Sequence, residues 1–284
     1  MEIINRRQRM FSIARKLRRE HKTVGFVPTM GALHEGHLSL VREARQISDV
    51  VIVSIFVNPT QFNDKVDLER YPRDLAADAA LLADHGVDYI FAPEASELYP
   101  PDFSTYVYVE GLSESLEGAS RPGHFRGVAT IVTILLNTVR PDFAVFGQKD
   151  AQQLAIIRRL NRDLGFETEI AAVPTVREES GLAMSSRNRL LTEEERERAS
   201  VIYRSLRDAK TAFKQGERIA SKLVDLVNTT LSSESLANVE YVAAVDSESL
   251  EPIEKIDDRE ALIAVAVRFG SVRLIDNVVL NRRQ

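Results

Sequence analysis

The eight consecutive positions from Val50 to Val57 hold one polar side chain, Ser54. A strand with one face in water alternates polar with apolar residues, so this run describes a strand buried on both faces in the middle of a sheet. The neighbouring chain supplies the layers. Met10, Phe11, Ile13, Ala14 and Leu17 recur at helical spacing, residues 23–27 read as a short buried strand ending before Pro28, and Leu38, Val41 and Ala44 mark a following helix. Strand-like pieces at 88–92 and 143–146 alternate with helical patterns at 75–83, 128–139 and 151–164. Such alternation predicts an α/β fold with a parallel sheet.

A further strand, 168–173, stops at Pro174, and the pattern then changes. A long charged helix opens at Thr192, where Glu195 three positions on completes a capping box. A second helix at 220–231 and strands at 239–245, 262–269 and 272–279 follow, so a smaller α+β domain is expected from about residue 177. With 284 residues, two domains, 1–176 and 177–284, are the natural division. The serines near 232–235 read as a loop.

Lys and Arg number 37 against 42 Asp and Glu, a net charge of −5. No basic field attracts a phosphate polymer, and nucleic acid is not an expected partner. Zero cysteines removes disulfides, thiolate metal sites and Cys nucleophiles, and suits a reducing compartment. No apolar run approaches the ~18 residues that a membrane span needs, and the basic N-terminus leads into an amphipathic pattern, not a signal-peptide core. A cytoplasmic location with no membrane partner is the expectation.

His34-Glu35-Gly36-His37 sits after a strand and at the opening of a helix, where unpaired N–H groups carry positive partial charge. Gly31 and Gly36 permit close backbone approach, and two imidazoles add donors, so the element suits a nucleotide phosphate. Its spacing is not the His-Glu-x-x-His of a zinc site. Gly147-Gln148-Lys149-Asp150 occupies another strand-to-helix turn, the end at which open α/β sheets bind ligands; Lys149 there is either a phosphate contact or a solvated cap. Met184-Ser185-Ser186-Arg187-Asn188 gathers two hydroxyls and a guanidinium, chemistry for outer phosphates or for a turn and cap. Gln61, in Asn58-Pro59-Thr60-Gln61-Phe62 after the most apolar strand, can both donate and accept to a small polar substrate. His124 and Arg126, between Gly123 and Gly127, read equally as an anion contact or lid and as loop structure; His21 and His85 read as helix ends. These residues alone leave open nucleotidyl transfer to a phosphorylated acceptor and nucleotide binding without catalysis.

Taken together, residues 28–37, 56–62, Tyr71-Pro72-Arg73, 123–128, 146–153 and 184–188 resemble the motifs of the pantothenate synthetase (pantoate:β-alanine ligase) family, in its order and at its spacings, from about residue 23 to 190. The His-x-Gly-His element alone is shared with the wider nucleotidyltransferase superfamily; Asn-Pro-x-Gln-Phe and Gly-His-Phe-Arg-Gly single out this family. Two positions depart from the family pattern: Asp74 stands where threonine is expected and Ser180 where aspartate is expected.

The resemblance implies a Rossmann-like N-terminal catalytic domain, a C-terminal domain acting as a lid, a homodimer, and a two-step reaction. Pantoate attacks the α-phosphorus of Mg²⁺-ATP to give pantoyl adenylate, and β-alanine then takes the acyl group to give pantothenate and AMP. It implies that Met30, Gly31, Ala32, Leu33, His34, Glu35, Gly36, His37, Gly147, Gln148, Lys149, Asp150, Val176, Met184, Ser185, Ser186 and Arg187 bind ATP. His34, His37 and Lys149 would be catalytic, with His37 the proton donor. Gln61 would hold pantoate and β-alanine, Gln153 pantoate, and Asp78 or Asp150 would assist magnesium.

Overall fold

Parallel strands cannot be joined by a tight turn, so the helices that the periodicity predicts are the crossovers of the sheet. The computed structural model describes residues 1–63 and 65–281. The chain divides into two compact units, Met1–Gln148 with Ile156–Pro174, and Lys149–Ala155 with Thr175–Gln284.

The first unit holds β1 (Glu2–Ile4), β2 (Val24–Thr29), β3 (Val50–Ile55), β4 (Tyr89–Phe91), β5 (Phe143–Gly147) and β6 (Glu169–Val173). They form one sheet in the order β1-β4-β3-β2-β5-β6, every pair parallel. The inner place expected for the apolar run is the one β3 takes, with Val51, Ile52, Val53 and Ser54 at zero exposure. Helices α1 (Arg7–Arg19), α2 (Glu35–Ile47), α3 (Leu75–Leu82), α4 (His124–Val139) and α5 (Ala151–Asp163) follow the predicted pattern. Leu38, Val41 and Ala44 of α2 pack with Val27, Val51, Val53, Ile90 and Val145. Each large apolar side chain so buried contributes roughly 1.5–3 kcal/mol.

Three boundaries differ from the sequence reading. Strand β1 was not expected; it is three residues long and only Ile4 is buried, too little for any periodicity. Helix α4 starts at His124, four residues before the expected 128, so Gly123-His124-Phe125-Arg126-Gly127 is a helix opening and not a loop. Strand β2 runs through Pro28 to Thr29. Proline lacks a ladder donor, and geometry removes the need for one. Val24 and Asp142 exchange bonds on the β5 side of β2, so by alternation Pro28 also faces β5, where pairing has already ended at Phe26–Ala144.

That divergence of β2 from β5 is functionally placed. From β2 the chain proceeds through β3 and β4 to one side of the sheet, while β5 and β6 lie on the other. A crevice outside the carboxyl ends of strands where the order reverses is where open α/β sheets take ligands.

The second unit carries the antiparallel sheet β7 (Ala237–Asp246), β8 (Ala261–Phe269) and β9 (Val272–Leu280), in that order. Against it pack α7 (Val201–Lys214) and α8 (Ala220–Ser232), with Leu206, Val227, Ile263, Val265 and Val267 in the core, and α6 (Glu193–Arg198) precedes them. The capping box of Thr192 and Glu195 forms as predicted. The expected long helix is two helices. Glu193–Arg198 has no buried residue, whereas from Val201 an apolar stripe begins, so only α7 has a face to dock. Among the described residues no helix is long and apolar enough to cross a membrane.

Candidate active site

Strand β2 ends in a loop whose every backbone turn is held. The Thr29 hydroxyl donates to the Ser54 carbonyl (2.7 Å) and accepts from Gly31 N–H (3.2 Å). Gly31 has φ +82° and Ala32 φ +52°, the left-handed region, which costs an alanine roughly 1 kcal/mol. Asp78 of α3, 6% exposed, offsets that strain by accepting from Ala32 N–H (3.1 Å) and Leu33 N–H (2.8 Å). A Cβ on residue 31 would stand 2.8 Å from the Asp78 carboxylate, a second reason for glycine there. Both oxygens of Asp78 thus take part in shaping the loop.

The loop delivers His34 to the N-cap of α2. Its Nδ1 accepts from Gly36 N–H (3.1 Å), and Nδ1 of His37 accepts from His34 N–H (3.3 Å), a capping box built from two imidazoles. The rings lie 4.1 Å apart, centroid to centroid. Because both Nδ1 atoms accept, the proton of each neutral ring is on Nε2. Two N–H donors are thereby set at the N-terminus of α2, where the helix dipole also favours an anion. Glu35, in the first turn, is exposed and paired with Arg42.

Gln61 is fixed from several sides. It closes a 3₁₀ turn, Pro59–Gln61, and is 8% exposed. Asn58, 1% exposed, sets its amide. The Gly127 carbonyl can only accept, so the Asn58 amide group turns toward it (3.1 Å) and donates also to Gln61 Oε1 (3.1 Å). Asn58 Oδ1 accepts from Tyr99 (2.9 Å) and Thr60 (3.0 Å). With its oxygen directed at Asn58, Gln61 presents Nε2 beside Met30 Sδ at 2.9 Å. Burial pushes the Tyr99 phenol up to about 12, which keeps it a donor.

His124, left open in the sequence, faces this turn. Its Nδ1 donates to the Gln61 carbonyl (2.8 Å) and its Nε2 accepts from Arg121 (3.2 Å). Gly127 lets α4 approach: any side chain there would strike the Thr60 carbonyl. Arg126 stacks on Tyr106 at 4.6 Å. Asp74 accepts from Ala77 N–H at the start of α3, a capping role that aspartate and threonine share, which accounts for that departure from the pattern. His85 contacts the Leu81 carbonyl and His21 adopts φ +52° just past α1, both as helix ends.

In the second unit, Val176 accepts from Met184 N–H (2.9 Å), and Arg177 pairs with Ala183 as a bridge, so the expected ATP residues Val176 and Met184 lie on facing strands of a short hairpin. Ser180 in its turn accepts from Leu182 N–H, the job an aspartate performs at such a turn. Ser185 caps the 3₁₀ turn Ser186–Leu190 by accepting from Arg187 N–H (3.2 Å). Asn188, 4% exposed, pins this segment to Glu178 and to the Ala183 carbonyl. Lys149, Ser185, Arg187 and Arg273 line one small depression floored by Leu182 and Leu274. Gln153 is half-buried in the first turn of α5, and Asp150 is exposed at the turn before it.

The sequence singled out the histidines, Gln61, Lys149 and the serine loop, and not Asp78 as a clamp, Asn58 as the residue that orients Gln61, or Arg273. Asp78 bonds across 45 positions and leaves no local signal, whereas Asn58 meets Gln61 three positions on within one motif.

Known proteins match this chain in sequence and fold over nearly its whole length. The family profile described as Pantoate-beta-alanine ligase matches residues 2–279. The pantothenate synthetase of Thermotoga neapolitana is 54% identical over 280 residues, 99% of this chain and 100% of that protein. That of Heliobacterium modesticaldum is 51% identical over 280 residues, 99% of each chain. The solved pantothenate synthetase of Thermus thermophilus superposes with a TM-score of 0.91 at 45% identity, covering 98% of this chain and 99% of that one. The pantoate-β-alanine ligase of Francisella tularensis, solved with a β,γ-ATP ligand and β-alanine, gives 0.80 at 38% identity over 98% and 97%. A parallel sheet with paired imidazoles at its switch point, matched over nearly its whole length, places this chain in the pantoate–β-alanine ligase family.

Proposed function

We propose that this enzyme makes pantothenate from pantoate, β-alanine and ATP by way of a pantoyl adenylate. A pantoate carboxylate oxygen attacks the α-phosphorus, the bond to the β-phosphate oxygen breaks, and pyrophosphate leaves. The β-alanine nitrogen then attacks the acyl carbon, loses a proton, and expels AMP. Neither step needs an enzyme nucleophile. What each needs is reactants held in line and fixed positive potential where negative charge grows on phosphate oxygens.

One observation carries this reading: both Nδ1 atoms of His34 and His37 accept backbone N–H bonds, which commits both Nε2–H groups as donors at a helix N-terminus. His37 would donate to the oxygen of the departing pyrophosphate. The Met30–His37 loop and Gly147-Gln148 would cradle the nucleotide, and Lys149, Ser185, Ser186 and Arg187 would meet its phosphates. Gln61, whose Nε2 donates one hydrogen to Met30 Sδ, would give its second to an acceptor oxygen of pantoate or of β-alanine, and Gln153 would be the second pantoate residue. Asp78 or Asp150 would assist magnesium, which would supply positive charge to the phosphates of the nucleotide. A chain without cysteine suits a reducing cytoplasm.

The enzyme would act as a homodimer. Tyr106 and Tyr108 are about half exposed, at 45% and 50%, aromatic surface of the kind that interfaces between chains use.

The test of the chemistry is pantoate-dependent exchange of labelled pyrophosphate into ATP, with magnesium present and β-alanine absent. Exchange that requires pantoate is expected. Absence of exchange from protein that binds ATP would overturn the adenylate route.

A further inference from the structure

Resting on the reading of Lys149 as the cation that meets the reacting phosphates, we propose that Asn277 of β9 is a positioning residue for Lys149. Lys149 lies in the three-residue 3₁₀ turn Gln148–Asp150. The turn runs directly into α5 (Ala151–Asp163), and the Lys149 carbonyl at that opening has a partner from far along the chain. Asn277, 7% exposed, donates Nδ2–H to it at 2.9 Å, across 128 positions of sequence.

The donor is itself immobilised. Asn277 stands opposite Ala264 in the β8–β9 ladder, and its N–H is held by Asp276 Oδ1 at 2.8 Å. Asp276, 3% exposed, is in turn gripped by both terminal nitrogens of Arg177 (2.6 and 3.1 Å), which stacks on Tyr203 at 4.3 Å. A lysine side chain is a point charge on a flexible stem, and its own rotamers do not locate it. Its placement rests on where its backbone is fixed. Asn277 supplies that fixed point from within the nine-residue strand β9, and Arg273, on the same strand, lines the depression that Lys149 also lines.

The test is a double-mutant cycle on the full chain, reading pantoate-dependent pyrophosphate exchange for wild type, Asn277→Ala, Lys149→Ala and the double variant. Asn277→Ala is expected to lower kcat about tenfold, since a misplaced catalytic group costs up to ~100-fold, with KM for pantoate unchanged within about twofold. The double variant is expected to fall no further than Lys149→Ala, because a residue acting through Lys149 has no effect once that charge is gone. Asn277→Asp, of equal size, replaces the donor with an acceptor facing a carbonyl and is expected to lose at least as much. This variant keeps the test alive if the alanine variant folds poorly. An unchanged kcat in both Asn277 variants, or losses that multiply in full in the double variant, would overturn the proposal. A Lys149→Ala enzyme of wild-type rate would instead remove the reading of Lys149, and the proposal with it.

Discussion

The carboxylate of Asp78 accepts the N–H of Leu33 at 2.8 Å, across 45 positions of sequence. With the second bond to Ala32, it holds a loop that contains a left-handed alanine. Asp78→Asn keeps the shape but turns an amide donor toward one of the two N–H groups. Leaving a buried donor unsatisfied costs about 1–3 kcal/mol, and for a chain of this size each kcal/mol shifts the melting temperature by roughly 2–4 °C. The expected outcome is a melting temperature several degrees lower with a weakened exchange reaction. A change under about 1 °C would show that the clamp carries no load.

Tyr99 offers a pH signature. Its phenol, raised by burial from 10 to about 12, holds its proton in the folded state at a pH where the unfolded chain has released it. Between those values the native state binds more protons than the unfolded one, so stability falls as pH rises; below pH 10 the contribution is fully present. Tyr99→Phe has no proton to lose. Chemical denaturation at stepped alkaline pH should give a flatter decline for the variant across this window. Parallel curves would refute the assignment.

The sheet and the histidine pair were legible in the sequence because their signals are local. An apolar run, a period of 3.6 and a glycine beside two histidines all lie within a few positions of one another. Asp78, His124 and Asn277 gave no such signal. They act across 45, 63 and 128 positions on a backbone group, and any residue type offers the same carbonyl or N–H. Pro28 misled for a related reason. Proline stops a strand when its N–H is needed, and whether it is needed depends on how far β5 runs beside β2, which only the fold decides.

Asp276 and Arg177 form the most enclosed ion pair described, with side-chain exposures of 2% and 20%. Removing one partner leaves a charge with poor access to water, at a cost of about 3–5 kcal/mol. Asp276→Ala should therefore melt on the order of 10 °C lower. Lys16→Ala, which breaks the exposed Lys16–Glu20 pair, should leave the melting temperature nearly unchanged. Similar shifts for both would mean that the buried pair contributes no more than a surface one.

Asn58 occupies the Gln61 oxygen, which leaves Nε2 beside Met30 Sδ as the donor that the proposed function gives to pantoate. Gln61→Ala removes a hydrogen bond to a charged group, about 1.5–3 kcal/mol, so KM for pantoate should rise roughly 10- to 100-fold. KM for ATP should move far less, since the nucleotide residues belong to other segments. Asn58→Ala should give the same split more weakly, because a freed Gln61 amide samples both orientations. Steady-state kinetics with each substrate varied in turn decides the matter. Equal increases for pantoate and ATP would mean that Gln61 supports the shape of the site as a whole and does not hold the acid.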